Sequence, residues 1–184
     1  MIIGFTGRLQ TGKTTAANVL VDQFGFQKLS FADPIRQMMA DVDPIVHPDG
    51  LMSYNDAVDM FGYDQAKKDF PEIRRLMQSI GVSARERIGP DVWVDALVRS
   101  LPGADGVFNT NPNVVIDDVR FQNEAEMIRD FGGRLFRIER PGLPQSDHVS
   151  ETEGDSIYVD RIFHNAEDLE TFQDLVRTHF EGNL

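Results

Sequence analysis

The chain has no cysteine, a single tryptophan, four histidines and far fewer bases than acids. The first absence excludes disulfides, thiolate metal sites and a cysteine nucleophile. The histidines, at positions 47, 148, 164 and 179, fall at none of the spacings that hold a metal, such as H-x-x-x-H. No apolar run approaches the length that spans a bilayer. No basic segment precedes the short apolar run at the start, so no secretory leader is expected and the expected location is the cytoplasm. Lys and Arg number 18 against 30 Asp and Glu, a net charge of −12. That balance argues against stable binding to nucleic acid, which needs a basic face. Residues 141–184 alone hold ten acids and two bases, the composition of a solvated surface. A chain this acidic that handles anions must gather its positive charge locally.

What is present begins at residue 4, in "GFTGRLQTGKTT". Gly7, four residues, Gly12, Lys13 and Thr14 form the full phosphate-loop pattern. The apolar "MIIGF" before it reads as a buried strand, and "TTAANVLVDQFG" after it as a helix stopped by Gly25. A helix beginning near Lys13 has unpartnered N–H groups and a positive dipole end at the loop. The glycines permit backbone angles and approaches that a side chain would block. A polyphosphate can therefore lie against several N–H groups at once. The ATP-binding positions expected are Gly7, Leu9, Gln10, Thr11, Gly12, Lys13, Thr14 and Thr15. Lys13 should reach the β- and γ-phosphates, and the Thr14 hydroxyl should ligate Mg²⁺.

The remaining chain alternates strand and helix signals. Strands are expected at 26–31, 113–118, 134–139 and 160–165. Asp33 reads as a helix N-cap with Pro34 behind it. Residues 42–71 read as an irregular, partly helical insertion. "EIRRLMQSIG" reads as a helix ending at Gly81, and Pro90 as the start of another. "RPGLPQSDHVSETEGDS" has too many turn formers for regular structure and reads as a mobile loop. The alternation indicates α/β architecture with a parallel sheet covered on both faces. Such sheets bind ligands at the carboxyl ends of their strands.

"VVIDD" ends an apolar strand in two carboxylates, the pattern of a second Mg²⁺ element beside a phosphate loop. Asp118 is favoured over Asp117. Arg120 follows by two residues, Arg36 lies in the helix after the second strand, and Arg74 and Arg75 lie one after the other in a later helix. Arginine forks suit phosphate oxygens, although helical periodicity does not choose between Arg74 and Arg75. Trp93 reads equally as a core residue or as a stacking platform for a base. Gln78 could bond a base edge.

With "GRLQTGKTT", "SFADPIR", "RRLMQSIG", "PDVWVDAL", "DDVRFQNEAEMI", "RIERPG", "DHVSE" and "FHNAEDLE" in this order, nearly the whole chain resembles the bacteriophage deoxynucleoside monophosphate kinases. These are P-loop nucleoside monophosphate kinases. The resemblance implies one domain over 1–184, a P-loop kinase three-layer fold with a five-stranded parallel sheet in the order 2-3-1-4-5. It implies an acceptor-binding insertion at about 34–100 and a lid at about 140–156. It implies ATP as donor, a deoxynucleoside monophosphate as acceptor, Mg²⁺ as cofactor and direct in-line transfer in the host's cytoplasm, with homodimerisation left open. The catalytic set would be Lys13, Arg120 and Arg140, with Thr14 and Asp118 for the metal. Asn165 would lie near the donor adenine. Arg36, Arg75 and Arg120 would hold the acceptor phosphate, with Gln78, Trp93, His148 and Glu151 completing the acceptor side. Dephospho-coenzyme A kinase shares parts of the pattern, so another small phosphate ester is the alternative acceptor. A P-loop ATPase acting on nucleic acid and a regulatory nucleotide-binding module are the readings from other classes.

Overall fold

β1 (Ile2–Thr6) is buried at every residue, as a central strand flanked on both sides must be. The computed structural model describes residues 1–102, 113–143 and 149–183. β1 pairs in parallel with β3 (Val114–Val119) on one side and β4 (Arg134–Glu139) on the other. β2 (Gln27–Leu29) extends the sheet from β3, and β5 (Arg161–His164) extends it from β4, both in parallel. The order is β2-β3-β1-β4-β5, the one that the resemblance implies.

Helices cover both faces of this sheet. On one face α1 (Lys13–Phe24) and α9 (Leu169–Glu181) contribute Ala16, Ala17, Leu20, Phe172, Val176 and Phe180. These meet Ile3, Phe5, Val115, Phe136, Ile138 and Phe163 of the strands. On the other face α7 (Gln122–Asp130) brings Ile128 against Gly4, where a Cβ would come within 2.6 Å of its Cδ1. Two-residue alternation along the strands separates these two sets.

The chain forms two compact units, Met1–Phe31 with Leu97–Leu184, and Ala32–Ala96. The second is helical. It holds α2 (Asp33–Val42), α3 (Tyr54–Phe61), α4 (Tyr63–Asp69) and α5 (Pro71–Arg87), and α6 (Val92–Ser100) carries the chain back into the first. Its core is formed by Ile35, Met39, Tyr54, Ala57, Ile73, Met77 and Trp93.

Three local expectations are corrected. α2 begins at Asp33 with Ala32 in the cap position, one residue earlier than expected. α5 runs through Gly81 to Arg87. Gly81 does not take up the left-handed backbone of a helix stop, so α5 continues through it, and its carbonyl accepts the Trp93 indole N–H at 3.1 Å. The stretch read as a loop near the end of the chain contains α8 (Val149–Ser156). Its sequence has weak helical patterning, and its order comes from tertiary hydrogen bonds described below.

Candidate active site

The loop after β1 folds as its glycines require. Gly7 has φ +135°, and a Cβ there would stand 2.3 Å from the Ile138 carbonyl oxygen. Gly12, at φ +109°, is the N-cap of α1 and supplies no side-chain cap. The first N–H groups of α1 therefore face the loop without a capping side chain. The Lys13 ammonium lies back over the loop, donating to the Gly7 and Arg8 carbonyls at 2.6 Å each. Thr11 closes the turn from within, its hydroxyl donating to the Arg8 carbonyl at 2.9 Å. Leu9 and Gln10 are exposed at the tip, Gln10 with φ 64°, and Thr15 is half-buried in the first turn of α1.

Asn165, just past β5, is buried beneath this loop. Its side-chain amide donates to the Thr11 carbonyl at 2.8 Å and its backbone N–H to the Glu139 carbonyl at 2.7 Å. Asn165 was expected near the donor adenine; in the structure its amide supports the loop backbone directly.

The acid pair is placed differently from the expectation. The Thr14 hydroxyl donates to Asp117 Oδ2 at 2.7 Å. Asp118 instead accepts from Ser30 Oγ at 2.6 Å and from the Phe31 backbone N–H at 3.0 Å. Alternation and a register shift together explain the exchange. Val115 belongs to the core under α1, so Asp117, two residues on, faces α1 and Thr14; β3 then shifts register against β1 between Ile116 and Val119, and Asp118 turns to Ser30 and Phe31. Asp117 also carries an ion pair missed in the sequence, Lys28 Nζ to Oδ2 at 2.7 Å. Lys28 lies opposite Val115 in the β2–β3 register, hence on the same face.

Thr14 and Asp117 offer hard oxygens, the donor type that suits Mg²⁺. Among the described residues no group of three or more His, Cys, Asp or Glu could hold a metal. One hydroxyl and one carboxylate fit an ion that takes its other ligands from phosphates and water.

Arg120 follows β3 directly, and its backbone N–H is fixed by buried Glu124, whose Oε2 lies 2.7 Å away. Glu124 also accepts from the Phe121 N–H at 3.1 Å, so the carboxylate closes the α7 N-terminus. Arg140 is exposed just after β4. Arg8 Nη2 reaches Asp155 of α8 at 2.7 Å, which ties the loop to that helix. Glu153 Oε1 accepts from the Gln122 N–H at 3.3 Å, and Arg137 donates to the Gly154 and Ile157 carbonyls at 3.1 and 2.6 Å.

In the helical unit, Arg36 pairs with Asp33 and lies over the Tyr63 ring, 4.9 Å from its centroid. Lys67 approaches the same ring at 5.5 Å, so Tyr63 holds two cations by cation–π attraction. Tyr54 has its phenol pushed up by burial first and then by Tyr63, with Arg36 acting in the opposite direction. Arg75 forms a two-bonded pair with Glu72 at 2.7 and 2.6 Å, which holds the Glu72 carboxyl below its usual range. Gln78 is exposed on α5. The base-platform expectation for Trp93 is corrected: the ring is only 3% exposed and its N–H is committed to Gly81. His148 and the Glu151 side chain lie outside the described residues.

Residues 51–176 match the family model for deoxynucleotide monophosphate kinase. A mimivirus protein (Acanthamoeba polyphaga mimivirus) named "Putative deoxynucleotide monophosphate kinase" is 34% identical, over 94% of this chain and 92% of its own length. The chain belongs to the deoxynucleotide monophosphate kinase family. The kinase is also 27% identical to the protein of open reading frame 77 from Ictalurid herpesvirus 1, over 96% of this chain and 68% of that protein. Among solved structures, a dephospho-CoA kinase from Campylobacter jejuni aligns over 98% of the chain and 96% of its own, at 14% identity and a TM-score of 0.49. A shikimate kinase from Aquifex aeolicus covers 100% and 98%, at 14% identity and 0.47. By the family match and the mimivirus relative, the kinase is a phosphotransferase of the nucleotide kinases, and the relatives found by sequence are viral.

Sequence reasoning missed Asp117 as the partner of Thr14, and it missed Lys28, Tyr63, Glu124 and the Arg8–Asp155 pair. For Asp117 a signal existed: its alternation with Val115 identifies the face once α1 is known to cover it. Lys28 and the ion pair had no such signal, because each acts through a contact distant in the chain, and neither had the approach of Arg36 to Tyr63.

Proposed function

We propose that the kinase transfers the γ-phosphoryl group of ATP to the phosphate of a deoxynucleoside monophosphate, giving ADP and the deoxynucleoside diphosphate. An acceptor phosphate oxygen attacks the γ-phosphorus, and the bond to the β–γ bridging oxygen breaks. ADP leaves with that electron pair. The attacking oxygen is already ionised, so no side chain need remove a proton, and the rate comes from alignment and charge neutralisation.

The observation that carries this reading is the junction of loop and helix. Gly12 caps α1 without a side chain, so the N–H groups there can receive phosphate oxygens. Lys13 is already held at the loop, from where its ammonium can follow the migrating charge. Thr14 and Asp117 would hold Mg²⁺, which when bound neutralises phosphate charge. Arg120 and Arg140 are assigned to the transferring and acceptor phosphates. Arg36 and Arg75 are assigned to the acceptor side. Each now faces a carboxylate one helical turn away, and an acceptor phosphate would take that carboxylate's place. The helical unit 32–96 is the proposed acceptor-binding part, and α8 with the segment before it the proposed lid.

A coupled ADP-release assay against every deoxy and ribo monophosphate, with dephospho-coenzyme A included, tests the proposal. Turnover of one or more deoxynucleotides is expected. Turnover of dephospho-coenzyme A alone, or ADP release that needs no acceptor, would overturn it.

A further inference from the structure

Lys28 sits on β2, a three-residue edge strand whose sequence, Gln27-Lys28-Leu29, suggests no chemistry. Its ammonium nevertheless reaches the same carboxylate oxygen that Thr14 uses. Lys28 Nζ and Thr14 Oγ1 each stand 2.7 Å from Asp117 Oδ2. The lysine side chain is 33% exposed and the aspartate side chain 8%. A nearly buried carboxylate is costly without a counter-charge, and Lys28 supplies one from the solvent edge.

This geometry has a consequence for the metal. A divalent cation ligated at Thr14 and Asp117 would lie within a few ångströms of the Lys28 ammonium, and like charges repel at that range. The ammonium and the ion compete for one carboxylate. We infer that Lys28 is a counter-cation held on the metal-site carboxylate, displaced when Mg²⁺ binds, so that it sets how much Mg²⁺ the kinase needs to hold ATP. Lys28 acts through Asp117 and is a positioning residue. Its flexible stem allows the ammonium to swing outward while Asp117 stays seated on Thr14. The inference rests on the reading that Thr14 and Asp117 form the metal site.

The test is ATP binding by calorimetry across a series of Mg²⁺ concentrations, with Mn²⁺ alone, followed by electron paramagnetic resonance, as a second probe. Lys28→Met removes the charge and keeps much of the stem, Lys28→Gln guards against a packing artefact, and Lys28→Arg keeps the charge. Both neutral variants should reach half-maximal tightening of ATP at about tenfold less Mg²⁺, the low end of what partners of metal ligands control. Mn²⁺ alone should bind them tighter by a similar factor. Lys28→Arg should stay near the parent. An unchanged Mg²⁺ requirement in both neutral variants overturns the inference. A raised requirement also overturns it and gives Lys28 a direct phosphate contact instead. Asp117→Asn separates this failure from failure of the metal site. If Asp117→Asn leaves the Mg²⁺ dependence intact, the metal assignment itself fails. If it shifts that dependence and the Lys28 variants do not, only the inference about Lys28 falls.

Discussion

Asp117 and Asp118 are adjacent near the end of β3, where the strand shifts register against β1, and one reaches Thr14 while the other reaches Ser30 and Phe31. Their losses should therefore differ in kind. Asp117→Asn should raise the Mg²⁺ needed for half-maximal ATP binding by about 10- to 100-fold. Asp118→Asn should leave that requirement unchanged and instead weaken the hold on the backbone at Phe31. A Mg²⁺ titration of both variants checks this, and the reverse result returns the metal to Asp118. Arg120 is the residue that tests acceptor recognition. Its backbone is pinned by Glu124, so a side-chain change should leave the chain path intact. Arg120→Met should cost about 2–4 kcal/mol for the acceptor, the range for removing one partner of a hydrogen-bonded charge pair. That is roughly a 30- to 1000-fold fall in kcat/KM. ATP affinity should barely move, and a variant that lost ATP but kept the acceptor would put Arg120 on the donor side.

At the scale of elements, the phosphate loop depends on β4 as much as on its own glycines. A methyl group at Gly7 would meet the Ile138 carbonyl at 2.3 Å, with φ at +135°. Gly7→Ala combines backbone strain with overpacking and should cost about 2–4 kcal/mol. Thermal melting should fall by roughly 4–16 °C for a chain of this length. An unchanged melting temperature would mean that β4 yields easily. α8 is held in its second half by Arg137, which donates to the Gly154 and Ile157 carbonyls, and by Glu153 at the N-terminus of α7. Arg137→Met should raise amide hydrogen exchange across 154–157 by at least tenfold, since each lost charged hydrogen bond is worth about 1.5–3 kcal/mol. Exchange no faster than the parent's would show that the Glu153 and Asp155 contacts suffice. These two elements also mark the limit of what the sequence shows. β1, the loop and α1 were legible because glycine spacing and apolar periodicity are local signals. The strands from β3 to β5 were legible as apolar runs between turn formers. α8 was not, because what orders it lies on β4, α7 and the loop. α5 was cut short at Gly81 because a glycine that stays helical and one that turns left-handed to end a helix look alike in sequence.

For the molecule as a whole, stability below neutral pH should depend on one histidine far from the phosphate loop. His179 of α9 packs edge-on against Phe136, Phe163 and Phe180, with ring centroids 5.4, 5.2 and 5.0 Å away. Arg161 Nη1 lies 2.9 Å from its Nδ1. A guanidinium can only donate, so Nδ1 must be the acceptor and the ring proton must sit on Nε2. Nε2 is buried, with no hydrogen-bond partner among the described residues. Charging the ring would turn an N–H toward Arg161 inside an aromatic cluster. Burial first, then Arg161 and Arg134, accordingly hold the His179 pKa below the ordinary value of 6.5. The sign follows from proton counting. Below about pH 6.5 the unfolded chain takes a proton on this histidine that the folded chain refuses, so the folded state loses stability as pH falls. Above that value both states are neutral there and the contribution is flat. His179→Gln removes the titration and cannot restore it. Urea unfolding of parent and variant at pH 7.5, 6.5 and 5.5, roughly spanning the ordinary histidine pKa, isolates this residue from His47, His148 and His164, which both proteins share. The parent should lose stability between pH 6.5 and 5.5 faster than His179→Gln does. Parallel losses in the two proteins would show that His179 takes up its proton as readily in the folded chain as in the unfolded one, against the effect of burial and Arg161.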